Sequence, residues 1–234
     1  MEPAEYALMD EVEAAMWWYR ALHARLCARL VAIEGPILDA GCGTGGLLAR
    51  LGRGDLYGLE YAQDGAARAA TKSSACITRG TVNALPFADA RFAAVVSADV
   101  LCHAAVEPAA ALAEFHRVLR PGGLLVVNLP SYQWLASAHD RRVHNARRST
   151  AGGVRAELAA AGFTNIRACY WNCLLLPLMI LQRKLLASAT DAASDVAAFP
   201  PWLDATLFGV TELERALSCP WPAGGSILAT AIRA

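Results

Sequence analysis

The sequence has no excess of charge of either sign. It contains 21 basic and 21 acidic residues, so its formal net charge at pH 7 is zero. Proteins that hold nucleic acid by its phosphates need a basic patch or tail. The balance of charge therefore argues against duplex DNA or bulk RNA, and we expect no nucleic-acid partner.

Charged residues are scarce as well as balanced. They make up 18% of the 234 residues, whereas apolar residues make up 56%. Disordered chains show the opposite balance, so we expect a folded chain with one sizeable core. We predict a helical extension over residues 1–35 and one domain over residues 36–234.

The sequence also lacks a Cys-x-x-Cys pair, although it has seven cysteines. This absence gives little support to a zinc site, and we expect no metal. Scattered cysteines in apolar surroundings are typical of a reducing compartment. Residues 1–20 have neither the cationic start nor the apolar centre of a signal peptide, so we expect a cytoplasmic protein.

From Pro36 onward, short apolar runs alternate with helical stretches. The runs predict strands at Ile37–Ala40, Leu56–Glu60, Phe92–Ala98, Leu124–Leu129, Phe163–Trp171 and Ser226–Ile232, with helices at 46–51, 64–71, 108–119 and 151–161. Such alternation is typical of an α/β fold with a parallel sheet. Residues 8–31 have the spacing of an amphipathic helix or two, and residues 131–150 and 172–222 are predicted insertions.

A glycine-rich loop follows the first predicted strand. Glycine allows positive φ and leaves room for a ligand close to the backbone. The spacing of Gly41, Gly43 and Gly46 also satisfies the dinucleotide pattern, so a NAD-dependent enzyme has to be considered. The other cofactor to consider is S-adenosylmethionine (SAM), and Asp39 separates the two interpretations. Its carboxylate would lie beside the negatively charged pyrophosphate of a dinucleotide, but it suits the amino group of SAM. Glu60 suits the ribose of either cofactor.

Five segments together resemble class I SAM-dependent methyltransferases of the UbiE/methyltransferase-11 type. They are LDAGCGTG (38–45), YGLEYA (57–62), ALPFADARF (84–92), VVSADVLCH (95–103) and FHRVLRPGGLLVVNLP (115–130). The flanks at 16–26 and 131–149 resemble a bacterial subgroup with an N-terminal WWY helix. The resemblance implies a Rossmann-like, doubly wound, mostly parallel seven-stranded sheet with an antiparallel last strand and an N-terminal helical lid.

The same resemblance implies which residues hold SAM. The loop residues Asp39, Gly41, Cys42, Gly43 and Gly45 would line its methionine and ribose, Glu60 would hold the ribose hydroxyls, Tyr61, Val82 and Asn83 would lie around the adenine, and Ser97 or Ala98 would close the methionine side. Two residues depart from the pattern. Thr81 and Ala93 stand where relatives often carry aspartate.

The densest polar cluster follows the fifth predicted strand, where open parallel sheets bind ligands. We predict that His139 is a general base oriented by Asp140. His144 would contact the acceptor, and Arg147 and Arg148 would grip a carboxylate or phosphate on it. The alternative is a solvated loop whose charges pair locally. The spacing of the two histidines matches no common metal site.

Other residues are candidates for the acceptor side. His103 follows the fourth strand, where it either approaches the cofactor or is satisfied by backbone. Tyr19 lies on the N-terminal helix, which either covers SAM or packs as core. The apolar segment Cys173–Leu181 contains Pro177 and is too short to span a bilayer. It would wall an acceptor pocket, form a dimer interface or touch a membrane surface, and its flank of only two basic residues favours the first two.

These observations predict a methyltransferase that moves a methyl group from SAM to an O, N or C atom of a small, partly hydrophobic molecule, releasing S-adenosylhomocysteine. Two alternatives stay open. One is a SAM-binding protein with a non-methylating activity, and the other is a NAD-dependent oxidoreductase.

Overall fold

The computed structural model of the protein describes residues 3–185, 199–217 and 220–234. Its strands are β1 (Ile37–Ala40), β2 (Leu56–Glu60), β3 (Cys76–Arg79), β4 (Phe92–Ala98), β5 (Leu119–Pro130), β6 (Phe163–Trp171) and β7 (Ser226–Arg233). They form one sheet in the order β3-β2-β1-β4-β5-β7-β6. Strand β7 runs antiparallel to both of its neighbours, and the other pairs are parallel. The predicted fold class is confirmed.

The described helices connect these strands. They are α1 (Pro3–Val12), α2 (Trp17–Leu30), α3 (Gly46–Leu51), α4 (Gln63–Lys72), α5 (Pro108–Val118), α6 (Ala138–Arg142), α7 (Ala151–Ala160), α8 (Leu176–Leu185) and α9 (Pro201–Leu217), with a 3-10 turn at Gln133–Leu135. None of the helices in these described ranges is long and apolar enough to cross a bilayer. The sequence pattern predicts no helix at α6, α8 or α9, which lie in the two predicted insertions. Strand β3 is also not predicted. Its residues are exposed or half-buried at the sheet edge, so it has no apolar run.

The core lies on both faces of the sheet because strand side chains alternate in direction. Val95 packs with Phe115 of α5 on one face. Ala94 and Val96 pack with Leu26 of α2 on the other. Helix α2 thus shares a core with the sheet, and each fully buried leucine there contributes about 1.5–3 kcal/mol. The proposed boundary at residue 35 stays a prediction.

Helix α9 joins the second predicted insertion to α2. Asp204 accepts the Trp17 backbone N–H at 2.6 Å and lies 3.2 Å from the guanidinium of Arg20. Arg25 is 7% exposed and donates to the carbonyl of Thr211 at 2.8 Å. Because α2 is part of the core, these contacts give α9 a fixed support.

Glu214 of α9 holds the chain where β6 ends. Its carboxylate is 3% exposed. It accepts the backbone N–H groups of Asn172 at 2.7 Å, Cys173 at 2.6 Å and Leu174 at 3.1 Å. Arg25 lies 3.8 Å from the same carboxylate and balances its charge. One side chain therefore satisfies several backbone donors in the loop between β6 and α8.

We expect Glu214→Ala to destabilise the protein by about 3 kcal/mol, because it leaves the backbone donors of Asn172 and Cys173 without an acceptor and removes the more deeply buried of the two carboxylates near Arg25. The free energy of unfolding in urea measures this change. Glu212→Ala is the matched control. Glu212 lies on the same helix and also lies 3.9 Å from Arg25, but it pairs with Arg215 near the surface and accepts no backbone N–H among the described residues. It should cost less than about 1 kcal/mol. Equal losses in the two variants would contradict the anchoring role of Glu214.

Candidate cofactor and acceptor site

A cavity of about 1270 Å³ opens beyond the carboxyl ends of β1, β2 and β4. Asp39, Glu60 and Ala98 come from those strand ends and line it, and helices α1 and α2 cover it. This edge is where open α/β sheets bind ligands. Cys42, Val82 and Tyr61, which were predicted to touch the cofactor, also line the cavity.

The glycine loop between β1 and α3 forms one wall of this cavity. Gly41 has φ of +95° and Gly43 has φ of +53°, and both line the cavity. A β-carbon at Gly41 would collide with the side chain of Val100. Gly45 has a different task, because a β-carbon there would lie 2.8 Å from the Cα of Ala69 in α4. Gly45 thus permits close helix packing and is not among the residues that line the cavity.

Asp39 is buried in this wall, with 3% of its surface exposed. None of the described residues donates a hydrogen bond to its carboxylate, although Asp39 lines the cavity. Burial, followed by the charges of Glu60 and Glu13, raises the pKa of Asp39 to about 8. A buried carboxylate without a donor is costly. The arrangement suits a ligand that brings positive charge and N–H donors.

Glu60 at the end of β2 is fully engaged. Its Oε1 accepts the hydroxyl of Tyr6 and the N–H of Ala62, and its Oε2 accepts the N–H of Gly43, each at 2.9 Å. Tyr6 belongs to α1, so Glu60 links that helix to the glycine loop. Glu13 adds a second link, since it accepts the Thr44 hydroxyl at 2.6 Å.

Two residues of the predicted cofactor set point elsewhere. Ser97 is fully buried, and its hydroxyl donates to the carbonyl of Ala40 at 3.1 Å. Asn83 bridges two loops, because its amide donates to the carbonyl of Ala105 at 3.1 Å and accepts the N–H of Glu107 at 3.0 Å. Neither is among the residues lining the cavity, whereas Ala98, the alternative to Ser97, is.

The polar cluster after β5 pairs mostly within itself. Asp140 is 4% exposed and accepts Arg148 Nε at 3.1 Å and Arg148 Nη2 at 2.9 Å, along with the N–H of Ser137 at 2.7 Å. The guanidinium of Arg147 donates to the carbonyl of Val106 at 2.8 Å and is not among the groups lining the cavity. The Asp140–Arg148 pair fits the alternative of local pairing, although it is buried rather than solvated, whereas Arg147 is held by a distant part of the chain.

His139 itself lies in α6, but its side chain falls outside the described part of the structure. Its role as a base therefore stays a prediction. Asp140, its predicted partner, already has the arginine and Ser137 as partners. His144 is exposed, has φ of +60° and lines the cavity with Arg148.

His103 and Tyr19, which were predicted to contact the acceptor, line the same cavity. Burial lowers the pKa of His103, which favours its neutral form. Tyr19 packs edge-to-face on Trp18, with ring centres 5.1 Å apart. Both residues line the cavity, so the structure brings them together with the cofactor side.

Asp99, directly after β4, is a cavity residue that the sequence analysis missed. It has φ of +55°, a conformation rare for aspartate outside turns. The amide of Asn128 donates to both carboxylate oxygens at 3.1 Å. Burial raises the pKa of Asp99 to about 7. The only feature of the sequence that could have indicated Asp99 is its position directly after a buried strand. An aspartate that merely forms a turn occupies the same kind of position, so this feature does not identify a cavity residue.

The apolar segment around α8 has two faces. Leu175 is buried with Met16, and Met179 lines the cavity. Leu178 and Leu181 are 49% and 45% exposed on the outer face. The inner face thus fits the interpretation as a pocket wall.

Comparison with known proteins agrees with this picture. Residues 38–127 match the family model described as a methyltransferase domain. This confirms the resemblance of the central segments, and SAM is the cofactor of that class of domain, as predicted. The subgroup suggested by the flanks at 16–26 and 131–149 stays a prediction. A protein described as an uncharacterized 37.1 kDa protein in transposon TN4556 of Streptomyces fradiae is 35% identical over 107 residues, which are 42% of this chain. The match covers 31% of that relative, so the chain spans about a third of its length.

Among solved structures, two examples share the fold over most of this chain. A SAM-dependent methyltransferase of Thermotoga maritima, described as a possible histamine N-methyltransferase, matches with a TM-score of 0.64 at 16% identity, over 98% of this chain and 99% of that one. Phosphoethanolamine N-methyltransferase 2 of Haemonchus contortus, solved with SAM, gives 0.59 at 16% identity, over 92% of this chain and 52% of that one. At such identity the likeness establishes the fold alone.

We expect Asp39→Asn to stabilise the ligand-free protein at alkaline pH. The pKa of Asp39 is raised from 3.8 to about 8, so the folded state holds the proton more tightly than the unfolded chain. The loss of folding free energy caused by ionising Asp39 is absent below its unfolded pKa of 3.8, grows as pH rises and is complete above about pH 8. Urea unfolding at about pH 8.5 should show the variant more stable by about 1 kcal/mol or more.

The stability difference between Asp39→Asn and wild type should shrink towards about pH 4. Asp89→Asn is the matched control, because Asp89 is exposed and pairs with Arg117 at the surface. It should change stability by less than about 0.5 kcal/mol. An Asp39→Asn variant no more stable than wild type at alkaline pH would refute the assignment of a raised pKa.

Proposed function

We propose that this chain transfers a methyl group from SAM to an O, N or C atom of a small, partly hydrophobic molecule and releases S-adenosylhomocysteine. The observation that carries this proposal is the buried carboxylate of Asp39, which lines the cavity and accepts no hydrogen bond from the described residues. It lies beside the glycine loop of the methyltransferase domain matched at residues 38–127.

The charges around the loop favour SAM over NAD. Asp39 and Glu60 line the cavity there, as does Glu13, whose charge is balanced by Lys72. A dinucleotide would bring a negatively charged pyrophosphate to these carboxylates, whereas SAM brings an ammonium and a sulfonium. Opposite charges attract strongly in a poorly solvated site, and like charges repel. The dinucleotide alternative is therefore disfavoured by electrostatics.

The residues present suit SAM in several ways. Asp39 would hold its ammonium group, Glu60 would accept ribose hydroxyls once Tyr6 yields its position, and Val82 would pack on the adenine. SAM supplies a methyl group on a sulfonium, which leaves readily to a nucleophile held in line. The chain then has to position the acceptor and exclude water.

The walls beyond the glycine loop suit an acceptor with an apolar part. Trp18, Tyr19, Met179 and Phe199 all line the cavity. Burial of apolar surface against such walls stabilises binding. His103 and His144 lie in the same cavity and would contact the polar part of the acceptor. A cytoplasmic location, and pairing of two copies through the outer face of α8, also belong to this proposal.

We expect Asp39→Ala to weaken SAM binding by about tenfold or more, because the buried contact to the ammonium is lost. Isothermal titration calorimetry with SAM measures the dissociation constant. Asp89→Ala, at an exposed site away from the cavity, should bind SAM as the wild type does. Binding of NAD with no binding of SAM would overturn the proposed function.

If His139 is the base, His139→Ala should reduce turnover by about a hundredfold with SAM affinity unchanged. Turnover is followed as release of S-adenosylhomocysteine, using the acceptor identified by incubating small-molecule extracts with methyl-labelled SAM. Unchanged turnover would remove His139 from the catalytic residues. SAM binding without methylated product from any extract would support the non-methylating alternative.

A further inference from the structure

The acceptor side of the cavity has a fixed polar floor. The indole N–H of Trp171 donates to Asn128 Oδ1 at 2.8 Å, which leaves the Asn128 amide to donate to both oxygens of Asp99. Asn128 is fully buried and Trp171 is 4% exposed. Asp99 lines the cavity, so its carboxylate is presented there by a rigid network.

A second hydrogen-bond acceptor lies in the same cavity. Asn172 follows β6 with φ of +60°, is 1% exposed and lines the cavity. Its Oδ1 is buried and has no hydrogen-bond partner in the described part of the chain. Its amide nitrogen lies 3.5 Å from the sulfur of Met179, a weak acceptor. A buried oxygen without a donor is costly, so a ligand donor would relieve it.

The positive charges near this floor already have partners. Arg148 pairs with Asp140 at 2.9 Å, with both side chains 5% exposed. Arg183, which also lines the cavity, donates to the carbonyl of Leu135 at 2.7 Å. The floor therefore presents hydrogen-bond acceptors, beneath aromatic and apolar walls.

We propose that Asp99 and Asn172 bind the acceptor's nucleophilic nitrogen, and that the acceptor is a protonated primary or secondary amine carrying an apolar group. This inference rests on the proposed methyl transfer and deepens it by naming the substrate class. An ammonium offers several N–H donors and a positive charge, which match a carboxylate and an amide oxygen. An alcohol offers one donor, and a carboxylate ligand offers none at neutral pH.

In this proposal Asp99, and not His139, is the catalytic residue that receives the proton. The ammonium gives one N–H proton to the carboxylate, and the freed lone pair forms the new nitrogen–carbon bond. The sulfur–carbon bond breaks at the same time, and its electron pair stays on sulfur. A group whose pKa is about 7 is suited to accept a proton near neutral pH.

The environment of Asp99 sets the direction of its pH dependence. Tyr19 of α2, Cys102, Asp140 and Arg148 are the titratable and charged groups that act on it. Burial dominates and raises its pKa, while Arg148 opposes that effect. Amine binding should therefore strengthen as pH rises from about 6 to about 8, because Asp99 ionises while an alkylamine stays protonated.

The test is calorimetry on the wild-type protein saturated with S-adenosylhomocysteine, with octylamine, 1-octanol and octanoate as probes of matched length. We expect octylamine to bind at least about tenfold more tightly than 1-octanol or octanoate. Its affinity should also be higher at about pH 8 than at about pH 6. Asp99→Asn keeps the shape but not the charge. It should weaken octylamine binding about tenfold and abolish the pH dependence.

Controls separate recognition from folding. Asp89→Asn should bind octylamine as the wild type does, and all variants should keep the wild-type affinity for S-adenosylhomocysteine. Asn172→Ala is the second variant if Asp99→Asn does not fold, and it should weaken octylamine binding several-fold. Octylamine affinity and pH dependence unchanged in these variants, or no preference for the amine, would overturn the amine proposal. Failure of wild type to bind either SAM or S-adenosylhomocysteine would instead overturn the proposed function.

Discussion

The hydrogen bonds of Glu60 hold together the parts that enclose the cavity. The carboxylate stands at the end of β2, takes the N–H of Gly43 from the glycine loop and takes the hydroxyl of Tyr6 from α1, each at 2.9 Å. Because three elements meet at one buried group, their relative positions follow from its geometry. The mouth of the cavity, and the distance of α1 from the loop, depend on this contact.

Charge is distributed unevenly along the cavity. Asp39 and Glu60 lie near the loop together with Glu13, which pairs with Lys72. Arg148 and Asp140 neutralise each other on the opposite side. A cationic cofactor is attracted to the first region, and the second provides a stable wall without net charge. The free energy that buried acids cost the empty protein is thus linked to the affinity gained on binding.

The acceptor side depends on a support built far along the chain. Glu214 of α9 holds the backbone at Asn172 and the following residues, and Arg25 of α2 lies beside it. These elements belong to the two regions of the chain outside the matched domain. The part of the chain that matches the methyltransferase domain model thus carries a pocket whose walls come partly from the flanking helices.

Much of this architecture follows from the sequence. The alternation of apolar runs and helical stretches determined the parallel sheet, and the residues at strand ends placed Asp39 and Glu60 at one edge. The edge strand β3 was not predicted, because its residues are exposed or half-buried and therefore form no apolar run. Local periodicity carries this information, since it reflects which side chains face the core.

Only the tertiary structure decided the partners of the polar side chains. The segment from His139 to Arg148 contains several possible donors and acceptors. In the fold, Arg148 pairs with Asp140, and Arg147 donates to the carbonyl of Val106 in the loop before α5. The amide of Asn128 fixes the carboxylate of Asp99, and Glu214 of α9 holds the backbone of Asn172. Apart from the Arg148–Asp140 pair, these contacts join residues far apart in the chain, and pairing across such distances is set by the fold rather than by local pattern.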